Sequence, residues 1–198
     1  MIVIKSKEIF LTLIVLFCIS GNIQAQLLEK YQLFSDSFNN VTDDSWIAKK
    51  GDWSIRGEKY YQNNLKGGAL SVLKSENWDD IIVDFKVNLL KGEKVKFYFR
   101  YTAKTHYVLE LHKDKNKSVL KLVKNGKETR LSDIDFGMDS DFHYVMIQTI
   151  DNRLNVWIDS RNYLDLTLND TPKGSIAIGT HNAEAWFDNI LAYKAKMN

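Results

Sequence analysis

The chain has 198 residues, 44% of them hydrophobic and 26% charged, with one Pro, one Cys and a formal net charge of +2. This length and composition fit one folded domain and exclude a disordered or collagen-like chain. The near balance of basic and acidic residues argues against a nucleic-acid partner, and the lone Cys excludes a disulfide framework or a Cys-based zinc site.

Residues 1–25 have the pattern of a cleavable signal peptide. Two lysines precede an apolar run that is too short to span a bilayer, and Ala25 is a small residue suited to the cleavage position. Phe17 stands before Cys18, where lipidation favours a small residue, so a lipoprotein is not expected. We expect a secreted or periplasmic protein, without a membrane anchor after cleavage, whose folded domain spans residues 26–198.

From residue 32 onward, the sequence predicts strands. Apolar and polar residues alternate in short runs separated by Gly, Asn and Asp, and no stretch has apolar residues at convincing helical spacing. In the strand over residues 81–89, the odd-numbered side chains are predicted to be buried. Asp84, Lys86 and Asn88 are predicted to face solvent.

A turn at Asn125-Gly126 fixes the register of one predicted hairpin. This dipeptide suits a two-residue turn with positive φ. It pairs Leu122 with Thr129 and Leu120 with Leu131. A slip of one residue would expose the whole buried set, so the register is testable.

Earlier turns extend this hairpin into a four-stranded meander. They pair Leu109 with Leu120 and Phe97 with Leu109, and a separate hairpin pairs Ile147 with Val156. The predicted core side of the meander consists of Val95, Phe97, Phe99, Tyr101, Tyr107, Leu109, Leu111, Leu120, Leu122 and Leu131. So many half-apolar strands need a second layer, and we predict an all-β fold, a two-sheet antiparallel β-sandwich.

Several short motifs follow one another in a characteristic order. They are Phe34-Ser-Asp-Ser-Phe38, Gly51-Asp-Trp53-Ser-Ile55, Trp78 ahead of Ile82-Val-Asp-Phe85, Phe99-Arg100-Tyr101, Phe142-His143, Val156-Trp-Ile-Asp159, Gly174-Ser-Ile-Ala-Ile-Gly179 and Ala185-Trp-Phe-Asp-Asn-Ile190. In this series the chain resembles the concanavalin A-like jelly rolls, which include laminin G-like domains, legume-type lectins and laminarinase-type glycoside hydrolases. The resemblance implies a jelly-roll fold for nearly all of residues 34–193, with Trp46, Trp53, Trp78 and Trp186 as packing residues.

One departure from this superfamily bears on activity. The laminarinase-type enzymes carry Glu-x-Asp-x-x-Glu on one strand, whereas the corresponding region here holds only Glu110. Glycoside hydrolysis needs two carboxyl groups, so the resemblance argues against this chemistry. Two alternatives stay open: a divergent glycoside hydrolase that uses Glu110 with an unidentified partner, and a laminin G-like module that binds a protein.

The side of the meander opposite its predicted core interleaves charged and aromatic residues. Lys96 is predicted to lie across from Glu110, and Arg100 across from His106. These residues fit either cross-strand pairs on a solvated sheet or a ligand-binding face. In the superfamily that the chain resembles, the concave sheet binds sugar, which makes four residues candidate ligand contacts: Tyr98, Arg100, Glu110 and His112.

The hairpin around residue 151 offers a second candidate group. Tyr144, Gln148 and Trp157 are predicted to point away from its aliphatic side. An aromatic ring beside amide groups suits a sugar, because the ring contacts the apolar side of a pyranose and the amides bind its hydroxyls. Trp157 is the leading candidate, and burial under a covering layer is its alternative.

The resemblance also implies a structural Ca²⁺ ion. Asp188 would bind it together with Asp36 and the carbonyl of Gly67 or Gly68, since Ca²⁺ prefers oxygen ligands. No EF-hand-like spacing is present, so ordinary surface carboxylates are the alternative. Taken together, the sequence predicts an exported, non-catalytic carbohydrate-binding domain whose partner is a poly- or oligosaccharide.

Overall fold

The computed structural model describes residues 28–39, 44–75, 77–114 and 117–197, and the signal peptide predicted over residues 1–25 lies outside these ranges. The described residues form antiparallel strands and include no helix, hence none that could cross a membrane. The prediction of an all-β fold is confirmed.

The strands follow the chain in this order. The first five are β1 (Leu28–Asp36), β2 (Trp46–Lys50), β3 (Trp53–Arg56), β4 (Lys59–Gln62) and β5 (Gly68–Leu73). Next come β6 (Ile81–Tyr101), β7 (Thr105–His112), β8 (Ser118–Lys124) and β9 (Lys127–Ile134). The last are β10 (His143–Ile150), β11 (Arg153–Ile158), β12 (Arg161–Thr167) and β13 (Ser175–Met197).

Two long strands, β6 and β13, pair with each other and run through both layers of the sandwich. In one layer, β7, β8 and β9 extend from the second half of β6, and β5 and β2 extend from the first half of β13. We call this layer the β7 sheet. In the other layer, the β10 sheet, β10, β11 and β12 extend from the first half of β6, while β1, β4 and β3 lie beyond the second half of β13.

The bend in β6 brings its two halves face to face. Phe85 in the first half and Phe97 in the second stack with ring centroids 4.4 Å apart and planes inclined by 12°. Both belong to a core of buried apolar side chains from both sheets. Between them, Gly92 has φ +97°, and a Cβ atom there would lie 1.8 Å from the Asn182 carbonyl oxygen. Gly is therefore required at this position, where the backbones of the paired strands β6 and β13 come into close contact.

The registers predicted for the centre of the β7 sheet are confirmed. Phe97 pairs with Leu109, and Leu109 pairs with Leu120. In the β10 sheet, Ile147 pairs with Val156 as expected. The side chains of all five residues are buried, so the alternation of apolar and polar residues identified the inner side of these strands.

The predicted pairing of Leu120 with Leu131 is wrong. The pair nearest the turn, Leu122 and Thr129, forms as predicted, but a β-bulge follows and Leu120 pairs with Ser132 instead. Leu131 is the extra residue of the bulge and is 40% exposed. The bulge shifts the alternation of β9 by one residue, which removes Leu131 from the core.

The outward side of the first half of β6 is more covered than predicted. Lys86 is exposed as expected, but Asp84 and Asn88 are buried. Asn88 Nδ2 donates a hydrogen bond of 2.7 Å to the Ser140 carbonyl oxygen, and the Tyr144 hydroxyl hydrogen-bonds to Asp84. Asp84 and Asn88, which the pattern predicted to be solvated, therefore bond instead to polar groups of β10 and of the segment before it.

Candidate functional site

The outward side of the β7 sheet carries a group of charged and aromatic side chains. Strand alternation and pairing place on this side Lys94, Lys96 and Tyr98 of β6, His106, Glu110 and His112 of β7, and Lys121 of β8. We call this surface the β7 face. It brings together three of the four predicted contacts of the meander, namely Tyr98, Glu110 and His112.

Glu110 lies at the centre of the β7 face and is only 2% exposed. Lys94 Nζ lies 2.9 Å from its Oε2, and Lys96 Nζ lies 3.0 Å from its Oε1. Lys121 Nζ and His112 Nε2 approach Oε2 at 3.2 Å and 3.6 Å. Three ammonium groups thus surround one buried carboxylate.

This arrangement keeps the Glu110 carboxyl ionised. Burial alone would raise its pKa, but the hydrogen bond from Lys94 and the charge and hydrogen bond of Lys96 outweigh burial and lower the pKa to about 2. A carboxyl with so low a pKa carries no proton at neutral pH. Glu110 therefore cannot serve as the general acid that protonates a leaving group.

The two histidines of the β7 face are neutral at pH 7. Burial is the main cause that lowers the pKa of His112, followed by the positive charge of Lys94. Burial also lowers the pKa of His106, against the hydrogen bond of 3.0 Å between its Nδ1 and the Thr102 carbonyl oxygen. The positive charge at the centre of the face therefore comes from its lysines.

Three rings meet at one end of the β7 face. The His106 ring centroid lies 5.4 Å from that of Tyr98 and 5.0 Å from that of Tyr101, and the two tyrosine rings meet edge to face at 5.8 Å. Tyr98 also lies against Gly179, where a Cβ atom would be 3.3 Å from its ring. We call Tyr98, Tyr101 and His106 the aromatic corner. It places partly exposed rings beside the lysines around Glu110.

The predicted orientations of Arg100 and Tyr101 are wrong. Arg100 has φ +48°, and the pairing with β13 shifts register opposite it, so the alternation of β6 is interrupted there. The Arg100 side chain is 1% exposed, and its Nη2 donates to the Asp151 carbonyl oxygen at 3.0 Å and lies 3.5 Å from Asp80 Oδ1. Arg100 is thus absent from the β7 face, and Tyr101, predicted to face the core, lies beside His106 instead.

The outward side of the β10 sheet, which we call the β10 face, carries a cleft of about 410 Å³. Its lining residues are Lys59, Lys86, Phe142, Tyr144, Asp159 and Asp188. Phe142 is 38% exposed and stacks on Trp186 with centroids 6.1 Å apart, and Tyr144 is 40% exposed. The cleft therefore combines exposed rings, carboxylates and ammonium groups.

The second predicted group is only partly assembled in this cleft. Tyr144 lines it, whereas Gln148 and Trp157 are half-buried elsewhere on the β10 face, with Trp157 paired across the strands with Met146. Trp186, one of the expected packing residues, faces outward and packs beneath Phe142. The roles of Tyr144, Gln148 and Trp157 in ligand binding stay predictions.

The structure does not bring Asp36 and Asp188 together. Asp36 pairs with core residue Ile190, and its carboxylate accepts hydrogen bonds from Phe38 N at 2.7 Å and Trp46 Nε1 at 3.0 Å. Asp188 follows buried Phe187, points to the other side of the sheet and accepts a hydrogen bond from the next backbone N–H at 2.8 Å. The pair does not fit one shared Ca²⁺ ion, and the described residues contain no cluster of three or more His, Cys, Asp or Glu suited to a metal.

The sequence interpretation missed two residues of the β7 face. Lys94 lies two residues before Lys96 on the same strand, so the alternation already identified would have placed it there. Tyr101 had no such signal, because its outward position depends on the positive φ of Arg100. A non-Gly residue with positive φ is not evident from the sequence pattern.

No protein-family model and no curated protein sequence matches the chain. Solved structures do share its fold. A carbohydrate-binding module from Bacillus subtilis superposes with a TM-score of 0.67 at 16% identity, covering 74% of this chain and 93% of the module. A Bacillus subtilis protein of unknown function with a galectin-like fold gives 0.68 at 12% identity, covering 86% and 100%.

The β-glucanase of Bacillus licheniformis has a TM-score of 0.63 at 14% identity, covering 82% of this chain and 98% of the enzyme. These matches confirm the concanavalin A-like jelly-roll fold that the motifs implied. At such low identities the similarity extends to the fold alone.

Proposed function

We propose that this jelly-roll chain binds a poly- or oligosaccharide on its β7 face without cleaving it. The observation that carries the proposal is that the aromatic corner lies beside the charged group around Glu110 on a single outward face. A ring can contact the apolar side of a pyranose while neighbouring charged groups bind its hydroxyls.

The state of Glu110 supports binding rather than hydrolysis. Canonical glycoside hydrolysis uses one carboxyl as general acid and a second as nucleophile or base. Glu110 is ionised and engaged by three lysines, so it is unsuited to the acid role. A hydrolase at this face would need its acid from another residue, and loss of reducing-sugar release in Glu110→Gln would reveal such an enzyme.

Two further considerations support a saccharide ligand. The structural neighbours include a protein named as a carbohydrate-binding module and another named as a β-glucanase. The predicted signal peptide over residues 1–25 would bring the domain to the periplasm or the medium, where polysaccharides are accessible.

The test is a glycan array probed with the purified chain, followed by calorimetric titration of the strongest ligand. We expect Tyr101→Ala and Tyr98→Ala to weaken binding about tenfold or more, since truncating a ring at the centre of a binding site commonly costs more than 1 kcal/mol. Melting curves establish that each variant is folded.

Phe142→Ala is the matched control, because it removes a ring from the opposite, β10 face. Unchanged binding is expected for this variant. If Phe142→Ala abolishes binding and the tyrosine variants do not, the site is the cleft of the β10 face and the proposed location is wrong. Absence of binding to every glycan class would contradict the function and favour a protein-binding adhesion module.

A further inference from the structure

The β7 face carries more cations than carboxylates. Lys94, Lys96 and Lys121 surround Glu110, and Lys121 also lies 3.0 Å from Glu128. The remaining ion pair of the neighbouring strand, between Arg130 and Asp133, is neutral by itself. On this side of the described strands, the cations of Lys94, Lys96, Lys121 and Arg130 face the carboxylates of Glu110, Glu128 and Asp133, which leaves one positive charge. The charge of Lys94 also acts on Glu93, whose carboxylate accepts a hydrogen bond from Asn182.

Among the described residues, Glu110 is the acceptor near the ammonium groups of Lys94 and Lys96, and it does not use all their hydrogen-bond donors. An ammonium group has three N–H donors and no acceptor. Glu110 takes one donor from each of Lys94 and Lys96, so further donors of both side chains remain for a ligand. A surface that offers donors alone matches a group that only accepts hydrogen bonds, such as an ionised carboxylate or a sulfate.

Partial burial of the two lysines strengthens their interaction with an anionic group of the ligand. The side chains of Lys94 and Lys96 are 14% and 18% exposed, so their charges are largely removed from water. Two desolvated cations that share one carboxylate gain from a second anion nearby, because ionic interactions strengthen as the local dielectric constant falls. The aromatic corner begins two residues further along β6, at Tyr98, so one ligand can contact both groups.

We propose that the saccharide bound on the β7 face is acidic and that its carboxylate or sulfate binds Lys94 and Lys96 beside Glu110. The inference rests on the proposed function, since the sugar ring occupies the aromatic corner. It adds a ligand class, a uronic-acid or sulfated polysaccharide, that a solvated sheet with simple cross-strand pairs would not select.

Affinity measurements on matched acidic and neutral polymers test the inference. The acidic probes are polygalacturonate, alginate and dextran sulfate, and the neutral counterparts are methyl-esterified polygalacturonate and dextran. We expect an acidic probe to bind, its neutral counterpart to bind at least about tenfold more weakly, as one lost charge-assisted hydrogen bond implies, and added salt to weaken the acidic complex. Comparison of polygalacturonate and alginate with dextran sulfate distinguishes a carboxylate ligand from a sulfate ligand.

Variants assign the effect to the lysines. Lys96→Gln is expected to weaken binding of the acidic probe about tenfold, whereas Lys96→Arg retains it. Lys74→Gln is the matched control, because Lys74 is 61% exposed and pairs with Asp44 beyond the end of β5. Glu110→Gln removes the carboxylate that competes with the ligand, so a folded Glu110→Gln protein is expected to bind the acidic probe more tightly than the wild type.

Four outcomes would contradict the inference. Equal binding of acidic and neutral polymers would leave a saccharide-binding protein without anion selectivity. Polyphosphate binding as tight as that of the acidic polysaccharides would show anion binding that ignores the sugar. Weaker binding by Glu110→Gln at an unchanged melting temperature would assign Glu110 itself to the ligand. Failure of every glycan, neutral and acidic, would contradict the proposed function as well.

Discussion

Phe85 and Phe97 lie on the same strand and stack on each other, with ring centroids 4.4 Å apart. The contact exists because β6 bends at Gly92 and sends its second half into the other sheet. The bend also determines the candidate site, since an inward Phe97 leaves Lys96 pointing outward beside Glu110. Core packing and the geometry of the β7 face therefore depend on the bend of β6 at Gly92, where it pairs with β13.

Gly92→Ala is expected to destabilise the protein by about 3 kcal/mol or more. A strained backbone with positive φ costs about 1–3 kcal/mol, and the new Cβ would also press on backbone atoms of β13. The Asn182 carbonyl oxygen would lie 1.8 Å away. Urea denaturation at neutral pH measures the change in the free energy of unfolding.

Gly126→Ala separates backbone strain from crowding. Gly126 also has positive φ, +79°, but a Cβ atom there would meet nothing within 4 Å. The expected loss is about 1–2 kcal/mol, the cost of a left-handed conformation alone. Equal losses in the two variants would contradict the close contact between Gly92 and the backbone of β13.

The ion cluster around Glu110 predicts a specific dependence of stability on pH. The Lys94 and Lys96 interactions overcome burial and lower the pKa of the folded-state carboxyl to about 2, from about 4.3 in an unfolded chain. This shift stabilises the folded protein above pH 4.3, and the stabilisation is lost as the pH falls toward 2. By linkage it amounts to about 3 kcal/mol.

Glu110→Gln removes this contribution. The free energy of unfolding of the wild type is expected to fall more steeply between pH 5 and pH 2 than that of the variant, measured by urea denaturation across this range. Glu128→Gln is the control, because Glu128 is 56% exposed and contacts a single lysine of the cluster. If the free energy of unfolding depends on pH in the same way for the wild type and Glu110→Gln, the ion cluster does not lower the pKa of the Glu110 carboxyl.

The regular parts of the fold were predictable because alternation and turn chemistry act locally. The pairing of Phe97 with Leu109 and of Leu109 with Leu120 follows from loop lengths and from which side chains must be buried. The same reasoning placed Lys96 opposite Glu110. These residues form the centre of the candidate site, so much of the β7 face was visible in the sequence.

Irregular positions were not predictable by the same rule. The bulge that exposes Leu131 and the positive φ of Arg100 each shift the alternation by one residue. Neither irregularity can be recognised from the order of apolar and polar residues, because both arise from how paired strands fit together. The cover over Asp84 was also missed, since it depends on Tyr144 from a distant strand. Tertiary contacts rather than local pattern decide these side chains.

Arg100→Met tests the corrected position of this side chain. Its guanidinium is buried against the Asp151 carbonyl oxygen and Asp80, so removing it leaves those groups without their cation. We expect a loss of about 1–3 kcal/mol in the free energy of unfolding, because the Asp151 carbonyl oxygen loses its hydrogen bond while Asp80 is 29% exposed. Saccharide affinity of the folded fraction should stay unchanged, because Arg100 does not reach the β7 face. If Arg100→Met loses saccharide affinity but keeps the melting temperature of the wild type, the buried position of the Arg100 side chain is contradicted.

Asp36 and Asp188 provide a test of the predicted Ca²⁺ ion. The two side chains leave opposite sides of one sheet, and Asp36 is already bonded to Phe38 N and Trp46 Nε1. We therefore expect the melting temperature to be the same with millimolar CaCl₂ and with EDTA. Asp36→Asn is expected to lower the free energy of unfolding by about 1–3 kcal/mol in either solution, because an amide cannot accept both hydrogen bonds as a carboxylate does.

Asp188→Asn is the matched variant, since Asp188 bonds to the neighbouring Asn189 and lines the open cleft of the β10 face. Its expected effect on stability is below about 0.5 kcal/mol, as for other partly exposed surface positions. A melting temperature that rises with Ca²⁺ in the wild type but not in Asp188→Asn would contradict this expectation and support a calcium site at Asp188. A rise lost only in Asp36→Asn would instead place the ion on the inner side of the sheet, because the Asp36 carboxylate points there.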